Sequence, residues 1–222
     1  MRNLSPSDLT FLWNGCQRCF YLKVMHDFRR PRTPMPRIFT DIDLKMKDFF
    51  FGKQLSEISA ALPEGEVYLA GKWVQSQPIT LPGHSLQCYI RGIFDTVIRL
   101  SDGSYGVIDF KTSEVKEKNV AFYSRQLRAY AYSLEHPAAG KLGLSPITKL
   151  GLLVFEPSEF LQKGDQLQYI GRMAWQECPM DEGAFLAFLD KVYTVLERPE
   201  APEANEDCQF CSYRDKARNT GL

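Results

Sequence analysis

No run of apolar residues in this 222-residue chain approaches the roughly 20 that a helix needs to cross a bilayer, which argues against a membrane protein. The opening "MRNLSPSDLT" lacks the charged and apolar regions of a secretion signal, so the expected location is the cytoplasm, where thiols stay reduced. Neither sign of charge is in excess. Lysine and arginine number 27, as do aspartate and glutamate, so net charge points to no nucleic-acid partner, although a local basic patch would count for more than the sum. Repeats and low-complexity tracts are absent. The three histidines, His26, His84 and His136, are scattered, and His84 in the loop-like "PGHS" reads as exposed rather than as a ligand.

What is present describes an ordinary globular α/β chain. Hydrophobic residues at 44% and charged residues at 24% suit one substantial domain. Ser5 and Pro6 mark a helix start in "LSPSDLTFLWN". The periodicity of residues 38–62 predicts a long helix with Ile38, Ile42, Met46 and Phe49 or Phe50 on one stripe, which Gly52 could interrupt. Strands are expected in "VYLAGKWVQSQPI", "CYIRGIFDTVIRL", "YGVIDFK", "KLGLLVFEP" and "LQYIGRMAWQEC". Helices are expected in "NVAFYSRQLRAYAYSLEH", through Leu127, Tyr130, Ala131 and Leu134, and in "DEGAFLAFLDKVYTVLE". That order implies a central mixed sheet flanked by helices. "RRPRTPMPR" (29–37) is either a basic contact patch or a proline-stiffened loop, and the tryptophans Trp13, Trp73 and Trp175 are expected in the core.

The strand "YGVIDFK" carries Asp109 and Lys111 two residues apart, hence on one face. Charges on a buried strand need a partner or a ligand. The preceding strand carries Asp95. A two-residue Asp102-Gly103 turn would send Asp95 and Asp109 to opposite faces. A three-residue loop, 101–103, with Gly103 left-handed, would set them opposite each other. Two carboxylates on one face call for a hard divalent cation such as Mg²⁺, and a lysine beside them suits negative charge developing on a phosphate. Gln126 and Tyr130, four apart, share a helix face just beyond.

Gly92-Ile-Phe-Asp95, Asp109-Phe-Lys111 and Gln126 to Tyr130 together resemble the G-x-x-D, D-x-K and Q-x-x-x-Y elements of the PD-(D/E)xK nuclease superfamily, of RecB type. The resemblance implies a restriction-endonuclease-like core that hydrolyses DNA phosphodiesters with Mg²⁺ or Mn²⁺. It makes Asp95 and Asp109 metal ligands, the Phe110 carbonyl a third, and Lys111 catalytic. Gln126 and Tyr130 would contact DNA or brace the site. A further ligand on the helix before the sheet is not cleanly present; Asp43 is the best substitute and Glu57 the runner-up.

The six cysteines include two C-x-x-C pairs, "CQRC" (Cys16, Cys19) and "CQFC" (Cys208, Cys211), at opposite ends of the chain. Two such pairs complete a tetrahedral ligand set and would staple the termini together. The "CQRCFYL" and "CQFCSYRDKA" contexts are similar to the CRISPR-associated iron–sulfur exonucleases, which implies a [4Fe–4S] cluster, with Zn²⁺ as the alternative. The last cysteine of that pattern is missing, and Cys19 would replace it. Cys88 and Cys178 read as buried hydrophobes.

The expectation is therefore one nuclease-like domain over 1–222. Residues 38–197 form its core, and 1–37 with 198–222 form the cysteine region. Its partner would be DNA, as single strands or ends. Repair or CRISPR assemblies are compatible settings, and a non-catalytic DNA-binding module is the alternative function.

Overall fold

The computed structural model describes residues 1–31, 34 and 36–220. Among them, β2 (Gly65–Ala70), β5 (Thr96–Leu100), β6 (Tyr105–Thr112), β7 (Ile147–Lys163) and β8 (Gln166–Cys178) form a sheet in the order β2-β5-β6-β7-β8. The β6–β7 pair is parallel and the others antiparallel, so the sheet is mixed, as expected. A second sheet joins β1 (Arg2–Leu4), β4 (Cys88–Ile93) and β3 (Trp73–Gln75) in the order β1-β4-β3. No described helix is long and apolar enough to cross a membrane.

The strand expected over "CYIRGIFDTVIRL" is two strands. The chain leaves one sheet at Ile93 and enters the other at Thr96, and Phe94, fully buried, fills the change of sheet. The turn that follows decides the site. Gly103 takes φ 85°, its N–H donates to the Leu100 carbonyl at 3.0 Å, and Leu100 N–H donates to the Ser104 carbonyl at 2.8 Å. This is the three-residue loop, and its register pairs Thr96 with Ile108. Extended by one residue, the register sets Asp95 against Asp109.

β6 is buried on both faces, which explains its continuous apolar run. Ile108 and Phe110 pack with Phe50, Leu55 and Leu153 beneath α3 (Arg37–Phe50) and α4 (Leu55–Ile58). Val107 packs on the opposite face with Leu127, Tyr130, Ala131 and Leu134 of α5 (Glu117–Glu135), the helical face expected from sequence. Asp109 and Lys111 therefore point toward α5.

The long helix over 38–62 is broken. Gly52 takes φ 77°, and a new start at Gln54 is closed by a capping box in which its N–H donates to Glu57 Oε2 at 2.8 Å. The proposed apolar stripe is also rotated: Phe50 is buried, but Ile38 is 59% and Phe49 64% exposed. β7 and β8 run past the sheet as a long hairpin rather than a short buried strand, with Phe160 stacked on Tyr169 at 4.6 Å.

At the amino terminus, residues 6–15 are helical with a π-helical middle (Asp8–Leu12), ending in the single turn α1 (Trp13–Gly15). Leu9 N–H donates to the Ser5 carbonyl at 3.1 Å, in keeping with Ser5 as the cap. α2 (Gln17–His26) and α6 (Glu182–Leu196) pack together through Phe20, Phe185 and Leu189. The tail carries the helix α7 (Gln209–Asn219). Of the basic stretch 29–37, Arg32, Thr33 and Met35 lie outside the described residues.

His84 is not free. Its ring meets Glu197 Oε2 at 2.7 Å and Asp190 Oδ1 at 3.1 Å, while Glu197 Oε1 accepts from the Ser85 and Leu86 N–H groups at 2.7 Å each. The His84 ring and the Leu86 N–H hold the Glu197 carboxyl down to about 2, and Glu197 in turn raises the His84 pKa. Glu197 therefore contributes stability above its ordinary 4.5, lost as pH falls toward 2. His84 contributes in full below its ordinary 6.5, and that part is lost as pH rises through its raised value. Glu197→Gln should lower the melting temperature most between pH 4.5 and 6.5, with the difference from wild type narrowing below pH 4.5 and closing only toward pH 2. A difference that does not change across a pH series of thermal melts would refute this linkage.

Candidate metal and nucleic-acid site

Asp95 lies at the bend between β4 and β5, and the end of β6 reaches past β5 toward it. Phe110 N–H, left without a partner on β5, donates to Asp95 Oδ2 at 3.0 Å. Asp109 is 3% exposed. Its Oδ1 accepts from Gln126 Nε2 at 3.2 Å, and its Oδ2 meets the Lys111 ammonium in a close ion pair. Lys111 also lies 4.4 Å from the centre of the Tyr123 ring. Residues 123, 126 and 130 fall on one face of α5, so this helix roofs the strand end.

Lys47, unremarked in the sequence, completes the cluster. Its Nζ lies 2.7 Å from Asp43 Oδ2 and 2.7 Å from Asp95 Oδ1, with its side chain 15% exposed. The signal was available in part, because Asp43 and Lys47 are four apart on one helix. The contact to Asp95 needed the tertiary fold. Glu57, the runner-up ligand, is spent on the α4 cap. Tyr130 is buried, and its hydroxyl donates to the Ile93 carbonyl at 2.6 Å. Tyr130 and Gln126 thus brace the site from α5. Gly92 explains itself sterically: a Cβ there would stand 2.8 Å from Pro6 Cδ and 3.2 Å from Tyr130 Cε1. Gly92→Ala should cost about 1–3 kcal/mol through this crowding. Equal urea midpoints for variant and wild type would contradict that.

Electrostatically the cluster is short of positive charge. Three carboxylates (Asp43, Asp95, Asp109) face two ammonium groups (Lys47, Lys111), which leaves one negative charge over. Burial, with Asp95 adding to it, pushes the Asp109 carboxyl up to about 7 against the pull of Lys111. Burial works against the charge on Lys111, but Asp109, with Asp95 and Tyr123 adding to it, more than offsets burial and raises the lysine pKa. Asp109 Oδ2 is met by Lys111, and Gln126 Oε1 is buried without a hydrogen-bond partner. Oxygen donors and excess negative charge together suit a hard divalent cation.

A cleft of about 870 Å³ has Gly92, Ile93 and Tyr130 in its wall, while the carboxylates and lysines of the cluster lie outside its lining. Trp73, expected in the core, is 58% exposed there, and Arg91 lies 4.7 Å over its ring. The edge position of β3 accounts for the exposure. Trp13 is buried as expected, and Trp175 is half-buried. Arg2, Lys23 and Arg29 also line the cleft, Lys23 in an ion pair with Asp8 and Arg29 in one with Asp27.

The four paired cysteines converge at the other end of α2. Cys16 precedes α2 and Cys208 precedes α7, each with its partner three residues on. The Sγ atoms of Cys16 and Cys211 are 3.8 Å apart, those of Cys19 and Cys208 3.7 Å, and those of Cys19 and Cys211 3.5 Å. All four lie within 4.8 Å of one another and are buried. Burial works to raise the Cys16 thiol, yet backbone hydrogen bonds at Asn205 and Cys19 hold it down to about 6. Arg30 Nη2 lies 3.4 Å from Cys208 Sγ, and Arg214 Nη2 3.7 Å from Cys211 Sγ. Burial raises Cys19 and Cys211, and it likewise pushes Cys88 up to about 11 and Cys178 to about 12.

Comparison with known proteins agrees with this layout. The crystal structure of SSO0001 superposes with a TM-score of 0.54 at 16% identity, over 96% of this chain and 84% of that one, which is a likeness of fold. No curated protein matches the sequence. Residues 37–216, which hold every carboxylate and lysine of the cluster, match the PD-(D/E)XK nuclease superfamily, and the chain belongs to that superfamily.

Proposed function

We propose that the chain is a Mg²⁺- or Mn²⁺-dependent deoxyribonuclease acting on single strands or DNA ends, with residues 1–222 working as one domain. The observation that carries this reading is the meeting of Asp95, Asp109 and Lys111 in one pocket that is short of positive charge. Asp95 and Asp109 would hold the ion, with Asp43 as a further carboxylate. The Phe110 carbonyl leaves its strand on the same side as the N–H that reaches Asp95, and so is available as a ligand. A bound ion supplies positive charge against the phosphate oxygens and favours formation of hydroxide from water.

The remaining work belongs to the chain. Phe110 N–H and Gln126 Nε2 each fix one carboxylate, so both acids are oriented before substrate arrives. Lys111, held by Asp109 and the Tyr123 ring, presents its ammonium to the developing charge on the scissile phosphate and orients the attacking water. In-line displacement then breaks the phosphodiester bond, and the leaving oxygen takes up a proton.

Exposed Trp73 favours single-stranded substrate, since an open indole beside an arginine stacks an unpaired base and a paired one is not available to it. Trp73→Ala should weaken binding of an oligothymidylate in EDTA by about 5–100-fold. Fluorescence anisotropy reads this directly, and unchanged affinity would move the strand's path elsewhere.

One observation favours the non-catalytic alternative: Lys47 and Lys111 already give Asp95 and Asp109 an ammonium each. Incubating the pure protein with labelled single-stranded DNA in Mn²⁺ or in EDTA separates the readings. A product formed only with metal supports the nuclease, and binding without product supports the module. Roles in CRISPR adaptation or repair fit either reading.

A further inference from the structure

We propose that Cys16, Cys19, Cys208 and Cys211 hold one tetrahedral zinc ion, not an iron–sulfur cluster, and that this ion clasps the two ends of the chain. The argument begins with the sulfur spacing. Four thiolates around one zinc at bonds of about 2.3 Å form a tetrahedron with edges of about 3.8 Å. Three of the six pairs stand at 3.5, 3.7 and 3.8 Å, and no pair exceeds 4.8 Å.

A cubane cluster places each thiolate on a different iron, with four irons and four sulfides between them. A cage of this size admits a single ion and cannot enclose eight atoms. The cage also has little freedom to widen. Cys16 is fully buried, Cys211 is 1% exposed, and Leu12 and Ala204 pack against the group. Spreading the sulfurs would drive apart two helices whose first turns carry the ligands.

The ligand pattern points the same way. The two halves are equivalent: a cysteine in extended conformation just before a helix, and a second one three residues into it. Two equivalent C-x-x-C pairs are the arrangement of a structural zinc site. Both helix N-termini face the sulfurs, and the guanidinium groups of Arg30 and Arg214 donate to Cys208 and Cys211.

The clasp explains an otherwise odd feature. Residues 198–208 hold no regular secondary structure beyond a turn, yet they lead to a helix seated against α2. Besides the sulfurs, an Arg18–Asp215 contact at 3.3 Å joins the two helices. That part-buried pair and the Arg30 contact over the Phe210 ring at 4.7 Å contribute modestly, so the ion would hold α7 in place.

Elemental analysis, acid-labile sulfide and an absorbance spectrum of protein purified anaerobically without chelator test the proposal. About one zinc per chain, no sulfide and no visible band are expected. A brown protein carrying iron and sulfide overturns the proposal, and so does a folded chain that carries neither metal. Cys19→Ser should lose the zinc and open residues 198–220 to protease, whereas Cys88→Ser, outside the cluster, should keep both zinc and resistance. Should Cys19→Ser fail to fold, the wild-type metal content still decides. None of these readouts involves DNA, so they stand or fall separately from the nuclease reading.

Discussion

Asp109→Asn and Lys111→Ala should each reduce metal-dependent cleavage by about 10²–10³-fold or more, while both proteins stay folded. Asp109→Asn keeps the shape of the side chain and an acceptor for Gln126 Nε2, so the α5 contact survives. It also removes a charge that burial disfavours, but it takes the closest counter-charge from the largely buried Lys111 ammonium. The melting temperature of Asp109→Asn should therefore fall moderately, with the fold retained, while activity is lost. Lys111→Ala separates two roles. If the ammonium serves the reaction, kcat falls and Mn²⁺ affinity holds or tightens, because Asp109 gains a vacant acceptor. If Lys111 is only an ion-pair partner, stability falls and any activity falls with it. Steady-state cleavage, Mn²⁺ titration and thermal melts on the same preparations distinguish the two. Full activity in either variant would discard the mechanism.

Phe94→Ala should destabilise the protein by about 3–5 kcal/mol, the range for emptying a fully buried aromatic site. Phe94 is 0% exposed and packs with Val97, Leu127, Tyr130 and Ala131, where the chain changes sheets. For a domain of this size, that loss corresponds to a fall in melting temperature of about 6–20 °C. The same truncation should weaken the site, because Asp95 is the next residue and Tyr130 anchors the Ile93 carbonyl. Phe94→Leu, which refills most of the volume, should recover most of the stability and activity together. Denaturant midpoints read the first effect and Mn²⁺-dependent cleavage the second. A stable Phe94→Ala protein would mean that the change of sheet is held by its hydrogen bonds, such as Gly71 N–H to the Asp95 carbonyl at 2.9 Å, and not by packing.

The unequal legibility of the site has a physical basis. Asp109 and Lys111 were readable because strand side chains alternate, which places them on one face without knowledge of anything else. Gln126 and Tyr130 were readable because helical residues four apart are neighbours. Asp95 opposite Asp109 was legible only as a fork between two loop lengths, and the left-handed Gly103 turn chose the branch. Lys47 was missed because its bond to Asp95 spans 48 residues, a distance no local pattern covers. Glu57 looked like Asp43 in sequence, since two carboxylates in one helical pattern are equivalent until the helix breaks at Gly52. Trp73 was misplaced because aromatic residues in a strand normally pack; β3 lies on a sheet edge, and edge position is a property of topology.

By its sequence alone, this chain was committed to a mixed α/β fold, to an acid–acid–lysine set along its β5–β6 hairpin, and to four paired thiols at its ends. Short-range rules suffice for these, because strand alternation, helical spacing and C-x-x-C reach are set by local backbone geometry. The tertiary structure decided which carboxylates share a pocket, which lysines neutralise them, which tryptophan faces water and how closely the four sulfurs approach. Those outcomes depend on contacts between residues far apart in the chain, and only packing the whole core brings such residues together.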